Sequence, residues 1–377
     1  MALKYLYVPS GYKAGKTYGV LPNATNADLF LVRSTTATRI NADGLIKTMG
    51  ANVPRLDYTD GSCPTLLTEP ESTNLLEYSE DFSQWDKING GTGVVPVVSA
   101  GFSAPDGTQG ASRVVFDLNG GTTISDFSRI KDTVTATTPT MSIFIKSNDA
   151  NTHQLNLSYG GGELGLVTAK PNEWSRVEVQ ATSSGSFDYR LELRGSLTTD
   201  DSADVLIWGA QAENKEYATS YIPTSGAAET RAADTGVISG DLSSYINSSE
   251  GVLEIKAKAL FNGGNDCRIT LSDGTNDDRV GLIWFSSPNN TSVIVQKDAS
   301  TVVNSNLNID QTLMTTFKIK WKSGDIQVKV NGTVVLTDTS TFSGLILDQL
   351  SFSKGTEQSF FEGNVQYIKV YDSITDF

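Results

Sequence analysis

Apolar and polar residues alternate along much of this chain. In Phe317-Lys-Ile-Lys-Trp-Lys322, Phe317, Ile319 and Trp321 share one face of a two-residue period and three lysines take the other. Asp325-Ile-Gln-Val-Lys-Val-Asn331 repeats the pattern, with Ile326, Val328 and Val330 on the apolar face. The same period runs through Met141–Lys146, Trp174–Gln180 and Phe187–Leu193. Clusters of Gly, Asn, Asp, Ser and Thr separate the runs, and Ser323-Gly324 and Asn331-Gly332 have the composition of hairpin turns. No stretch of about ten residues carries a helical period. The pattern predicts an all-β chain built of antiparallel β-sandwiches.

A length of 377 residues suits two or three domains. The net charge is -14, from 29 basic and 43 acidic residues, and it is unevenly spread. Residues 1–75 hold 7 basic and 6 acidic residues, 76–225 hold 10 and 19, and 226–377 hold 12 and 18. The first segment is thus near neutral and weakly patterned, punctuated by turn signals at Pro22-Asn23, Asp43-Gly44 and Asp60-Gly61. It reads as an attachment segment or as an extended arm packed on the next domain. Pro223-Thr-Ser-Gly-Ala-Ala-Glu-Thr-Arg231 reads as a linker. The expected layout is an N-terminal attachment segment over 1–75, a β-sandwich over 76–225 and a second over 226–377.

An acidic surface repels phosphates and anionic lipid, so neither nucleic acid nor membrane is an expected partner. No run approaches the roughly 18 apolar residues of a membrane helix. The first 19 residues lack the apolar stretch of a signal peptide, so the expectation is a chain made in the cytoplasm and not exported by the standard route. Cys63 and Cys267 are far apart and lack metal-ligand spacing, which predicts two free thiols, no disulfide scaffold and no zinc site.

Residues that could carry chemistry each have a simpler reading. His153 is the sole histidine and would have to serve any Ser-His-Asp triad, but no nucleophile motif surrounds it, so it reads as a loop histidine. Glu250-Gly-Val-Leu-Glu254 lacks the middle acid of the concanavalin-like hydrolase strand. Asp273-Gly-Thr-Asn-Asp-Asp278 offers hard oxygen ligands to calcium, but it lacks the twelfth-position Glu of an EF-hand and reads as a hairpin turn. Gly160-Gly-Gly162 and Gly263-Gly264 read as turns, since no phosphate-loop Lys follows. Trp174, Trp208 and Trp321 fall at inward-looking strand positions and are expected in the core; Trp85 and Trp284 are expected in the core or an interface. No catalytic, cofactor-binding or metal-binding residue is assigned, no cofactor is expected, and the chain is expected not to be an enzyme.

Three stretches carry a family resemblance. The first is Ala37-Thr-Arg-Ile-Asn-Ala-Asp-Gly-Leu-Ile46 with Val53-Pro-Arg-Leu-Asp-Tyr58 and Cys63-Pro-Thr-Leu-Leu67. The second is Glu69-Pro-Glu-Ser-Thr-Asn-Leu-Leu76, running into Tyr78-Ser-Glu-Asp-Phe82 and Trp85. The third is Trp208-Gly-Ala-Gln-Ala-Glu213, Thr219-Ser-Tyr-Ile-Pro-Thr224 and Thr230-Arg-Ala-Ala-Asp234. Over roughly residues 30–235 this layout resembles bacteriophage fibre and surface proteins built on carbohydrate-binding-module-like jelly rolls, and Lys4–Lys13 is similar to the openings of such proteins. The last segment resembles a laminin-G or concanavalin-like sandwich, through the Gly324 hairpin, Asn331-Gly332, Phe342-Ser-Gly-Leu345 and a closing strand with Gly363, Val365, Tyr367, Ile368 and Tyr371. The resemblance implies a structural virion protein: a short head fibre or decoration on the virion surface, gripping other virion proteins through residues 1–75. It further implies a homo-oligomer, with a trimer favoured, and weak adhesion to host or mucosal glycans. The alternative is a receptor-binding tail fibre or tip protein recognising host surface polysaccharide; a glycan depolymerase is the third reading.

Overall fold

The computed structural model describes residues 3–13, 15–20, 28–159, 165–181, 184–356, 358–374 and 377. The expected turns at Pro22-Asn23 and Gly160-Gly-Gly162 lie outside these residues. The described chain is all-β, without a helix, and forms two compact units. One comprises Met1–Gly44, Thr48–Glu71 and Ala232–Phe377; the other comprises Leu45–Lys47 and Ser72–Arg231.

In the first unit, antiparallel pairing links 16 of the described strands into one continuous sheet. Its apolar faces close on a single core, in which Leu253, Ile255, Phe317, Ile319 and Trp321 from one part meet Ile269, Leu271, Leu282 and Trp284 from another. The Trp284 ring lies 4.7 Å from Phe361 and 6.1 Å from Phe317, in the tilted and edge-on geometries that aromatic quadrupoles favour. The hairpin read at Asn331-Gly332 is a two-residue loop in which Val330 pairs with Thr333 and both loop residues have positive φ, 48° and 88°. That is the turn whose twist matches flanking strands, and Asn-Gly meets its backbone demand.

Residues up to Glu71, Leu45–Lys47 excepted, belong to this unit, whereas the sequence pattern set 1–75 apart. Strand Leu3–Lys13 pairs with the closing strand Gly363–Tyr371, and Leu29–Val32 pairs with Thr235–Ile238. Tyr5, Tyr7, Leu29 and Leu31 enter the same core as Leu253 and Val370. A register shift between Tyr7 and Tyr12 breaks the alternation of the first strand, which is why its pattern looked weak. The unit boundaries fall at Glu71 and Arg231 rather than at 75 and 225.

The second unit is a β-sandwich of two five-stranded antiparallel sheets. Ile143, Ile145, Val205 and Ile207 from one sheet pack with Ile130, Leu157, Leu191 and Leu193 from the other.

The stretches that carry the family resemblance staple these units. In the first unit, Arg33 Nη1 lies 2.6 Å from Asp234 Oδ1, and Arg55 bridges the carboxylates of Asp234 and Glu69. The Glu69 N–H donates to Asp234 Oδ2 at 2.9 Å, and the Asp234 N–H donates to the Glu69 carbonyl at 2.9 Å. All four side chains are buried. Burial works against the Arg55 charge, but Asp234 and Glu69 outweigh it and hold the guanidinium protonated. In the second unit, Asn74 Nδ2 donates to the carbonyls of Ala210 (3.1 Å) and Ile222 (2.9 Å), while its Oδ1 accepts from the Ala212 N–H. Glu213 accepts from Ser72, Gln211 and Thr219. Short motif segments therefore tie distant parts of each unit to one another.

Removing the Asp234 charge leaves two buried guanidiniums short of a counter-charge. Asp234→Asn is expected to destabilise the protein by about 3–5 kcal/mol, measured by denaturant unfolding; a loss below about 1 kcal/mol would show that the cluster does not hold the unit together.

Candidate functional site

The first unit carries a cleft of about 540 Å³, within the range of ligand sites. Its floor comes from strand Glu250–Ala259, whose odd-numbered residues Leu253, Ile255 and Ala257 point into the core and send Lys256 and Lys258 to the outer face. The pairing of Lys256 with Tyr367 and of Ala257 with Val365 leaves Gln366 as the extra residue of a bulge, and Gln366 lines the cleft. The turn Asp60–Cys63 forms one wall, and Thr312, Leu313 and Met314 form another. Lys258 Nζ sits 2.6 Å from Asp60 Oδ1, anchoring the turn to the floor.

The lining is rich in amine, amide and hydroxyl groups, which can hydrogen-bond to a polyol, and Leu313 adds an exposed apolar surface. Among the described lining residues Asp60 is the one carboxylate, and it is already paired with Lys258. Glycoside hydrolysis by the common routes needs two carboxyl groups, about 5–5.5 Å or about 6.5–9.5 Å apart. The cleft is equipped to hold a ligand, and its described lining holds no pair of acids such as would cleave a glycoside.

The sequence candidates are dispersed. His153 opens strand His153–Tyr159, buried, where a loop residue was expected. Its Nε2 lies 3.1 Å from both Asp149 oxygens, and its Nδ1 lies 3.6 Å from Asp200 Oδ2. The nearby Ser147 hydroxyl donates to Asp149 and not to the imidazole, so a serine–histidine relay is not assembled here. Burial pushes the Asp149 carboxyl up, but hydrogen bonds from the Asn151 N–H, His153 and Ser147 outweigh it and hold it at about 2. Glu250 and Glu254 face outward on one strand and serve as ion-pair partners, Glu250 to Lys322 at 2.8 Å and Glu254 to Lys318 and Lys369.

The 273–278 segment is the turn of a hairpin in which Ser272 pairs with Arg279. Asp273 Oδ1 accepts from the Thr275 N–H and hydroxyl, and Asp278 accepts from Lys297 and from the N–H groups of Asp298 and Ile346. The carboxylates of Asp273 and Asp278 are engaged in these bonds. Among the described residues no cluster of His, Cys, Asp and Glu is arranged to hold a metal ion. Gly263, at φ +107°, sits in a turn, as read.

Trp85, Trp208, Trp284 and Trp321 are all core residues. Trp174 is not, which corrects the inward reading. It lies half-exposed just before strand Ser175–Gln180, with Lys146 Nζ 5.3 Å from its ring centroid. Phe144 pairs with Arg176 on the strand's outer face, and Trp174, two residues earlier, falls on that same outward parity.

Sequence reasoning missed the cleft, because Asp60–Cys63, Lys256, Lys258, Thr312 and Gln366 form no motif and meet only through the sheet. It also missed Glu80 in the second unit. Burial pushes the Glu80 carboxyl above its ordinary value, against the hydrogen bond that the Tyr221 hydroxyl donates at 2.8 Å.

No protein-family model matches the chain, and no curated protein matches it. Among solved structures it is similar to the sialyllactose-bound CBM40 of the Ruminococcus gnavus IT-sialidase, at 14% identity and a TM-score of 0.28, over 34% of this chain and 78% of that one. It is similar to domains LG4-5 of the mouse laminin alpha1 chain, at 10% identity and a TM-score of 0.27, over 64% of this chain and 85% of that one. It is also similar to the N-terminal CBM22-1-CBM22-2 tandem domain of Paenibacillus barcinonensis Xyn10C, at 11% identity and a TM-score of 0.26, over 81% of this chain and 99% of that one.

Two predictions follow from the titratable groups. Glu80 binds its proton more tightly folded than unfolded, so stability falls as pH rises from its unfolded pKa near 4.3 through its raised folded value. Glu80→Gln is expected to raise the melting temperature at pH 7 and to flatten that part of the pH profile; a lower melting temperature at pH 7 would refute it. The two thiols should also differ. Cys63 is exposed, whereas burial pushes the Cys267 thiol up to about 12. A thiol reagent is expected to modify Cys63 in the native protein and Cys267 only after unfolding, as mass spectrometry would show.

Proposed function

We propose that this chain is a non-catalytic, glycan-binding protein of a bacteriophage particle surface, with its ligand held in the cleft of the first unit. The observation that carries the reading is that cleft: open, lined by Lys256, Lys258, Gln366 and hydroxyl groups, and with its one carboxylate engaged by Lys258. Glycans are bound through such donors and acceptors without any need for a reactive group. The particle setting rests on the order and spacing of the motif stretches between residues 30 and 235. Those stretches act as staples, as suits a durable display scaffold. Within this reading the chain is a short head fibre or decoration, a homo-oligomer with three copies favoured, and docks onto the particle through its amino-terminal strands. Tyr18, Phe30 and Val32 are exposed there, at 42%, 42% and 53%, and give such a contact apolar surface.

Cys63 supplies the test, because it lines the cleft and is exposed. A glycan array on the full chain is expected to return binders that slow Cys63 alkylation, and Lys256→Ala and Gln366→Ala are expected to weaken them by about tenfold each, the scale of one charged hydrogen bond. Binders that leave Cys63 unprotected would move the site elsewhere, and release of reducing ends from the bound glycan would overturn the non-catalytic reading. Immunogold labelling of particles decides the setting: label around the capsid supports the head fibre, label at the tail tip makes receptor recognition primary, and no label removes the particle from the proposal.

A further inference from the structure

The cleft opens onto an outer sheet face that is basic, in a chain whose net charge is -14. Four adjacent strands make the face: Gly363–Tyr371, Glu250–Ala259, Thr315–Lys322 and Ile326–Val330. Their register sets Lys369, Glu254, Lys318 and Lys329 side by side in one row. The next row toward the cleft holds Tyr367, Lys256 and Thr316, and the row on the far side holds Tyr371, Val252, Lys320 and Gln327. Lys258, opposite Asn364, and Lys322, opposite Glu250, complete the lattice. Seven of the 12 basic residues of segment 226–377 thus stand on this face, six of them half-buried or exposed and Lys320 buried beside Phe377.

Among the described residues the side-chain carboxylates that meet these lysines are Glu250, Glu254, Asp325 and Asp60, four against seven. Glu254 is saturated: it accepts from Lys318 at 3.2 Å, Lys369 at 3.3 Å, the Tyr367 hydroxyl at 2.9 Å and the Tyr371 hydroxyl at 3.4 Å. No carboxylate pairs with Lys256 or Lys329 among the described residues. Lys329 Nζ instead lies 4.6 Å from the Phe377 ring centroid.

We propose that this face, with the cleft at its Lys256 and Lys258 end, binds an acidic polysaccharide laid across the strands. The inference rests on the glycan-binding reading and names the ligand class. Charge complementarity selects a polyanion. Tyr367 and Tyr371, whose hydroxyls are held by Glu254, set aromatic rings among the lysines, and Thr316 and Gln327 add a hydroxyl and an amide, at the spacing of neighbouring strands. A protein partner would need a core depleted of charge, and lysines run through the middle of this face.

The test titrates the full chain with polygalacturonate, with dextran as the neutral polysaccharide and with poly-L-glutamate and a DNA duplex as other polyanions. Polygalacturonate is expected to bind at least about tenfold tighter than the other three, and to weaken by about tenfold between about 50 and about 500 mM NaCl as charge is screened. Lys256→Ala combined with Lys329→Ala is expected to weaken it by about tenfold, and Glu254→Gln to tighten it, since two lysines lose their partner. Dextran binding as tightly would overturn the acidic ligand and leave the glycan-binding reading standing. Poly-L-glutamate or DNA binding as tightly would overturn the sugar in favour of any polyanion. Polygalacturonate binding that ignores both lysine changes would show that this face is not the site. Binding of no polysaccharide would take down this inference and the reading beneath it.

Discussion

Everything in the first unit depends on keeping two guanidiniums charged where water cannot reach them. Arg33 and Arg55 are buried, and the Asp234 carboxylate is what both of them share. A buried ion pair gives little net stability over a well-packed apolar alternative, but an unmatched buried charge is severe. Such a cluster therefore dictates an arrangement more than it strengthens one. The arrangement here is the meeting of Glu69 with Asp234: the Glu69 N–H donates to the Asp234 carboxylate, and the Asp234 N–H donates to the Glu69 carbonyl. These two residues stand just inside the points, after Glu71 and before Ala232, where the chain leaves the first unit and re-enters it. A unit interrupted by 160 residues, 72–231, is thereby pinned at its own break.

The same logic explains what the most recognisable residues do in the fold. Asn74 and Glu213 each satisfy several buried donors or acceptors that a sandwich cannot pair within its ladders. An amide or carboxylate in such a place tolerates little substitution, since any replacement strands a buried partner. Order and spacing are then specific, while the chemistry is that of closure. The cleft and the lysine face have the opposite character: exposed groups, free of local motif, assembled by strand order.

The net charge misleads as to local surface. A chain at -14 has a face on which lysines outnumber carboxylates, because β-alternation sends the apolar half of Phe317–Lys322 into the core and its three lysines outward together. Cross-strand register then aligns Lys369, Lys318 and Lys329 around a single glutamate. A uniform acidic field is what a sum over residues reports; a patterned surface is what the sheet builds.

The period-two runs by themselves determined the fold class, the Asn331-Gly332 hairpin and the inward faces of the best-patterned strands, because each is decided between near neighbours in the chain. Trp208 and Trp321 were legible for the same reason, while Trp174 was misread by parity within its own run. The tertiary structure decided what depends on distant partners. Met1–Gly44 and Thr48–Glu71 join the carboxy-terminal unit because Leu3–Lys13 finds Gly363–Tyr371, a pairing no local pattern announces. The cleft exists because a bulge turns Gln366 outward beside Lys256 and because Lys258 holds a turn almost 200 residues away in the chain. Strand order and register, set by which apolar faces can be buried together, brought those groups to one place.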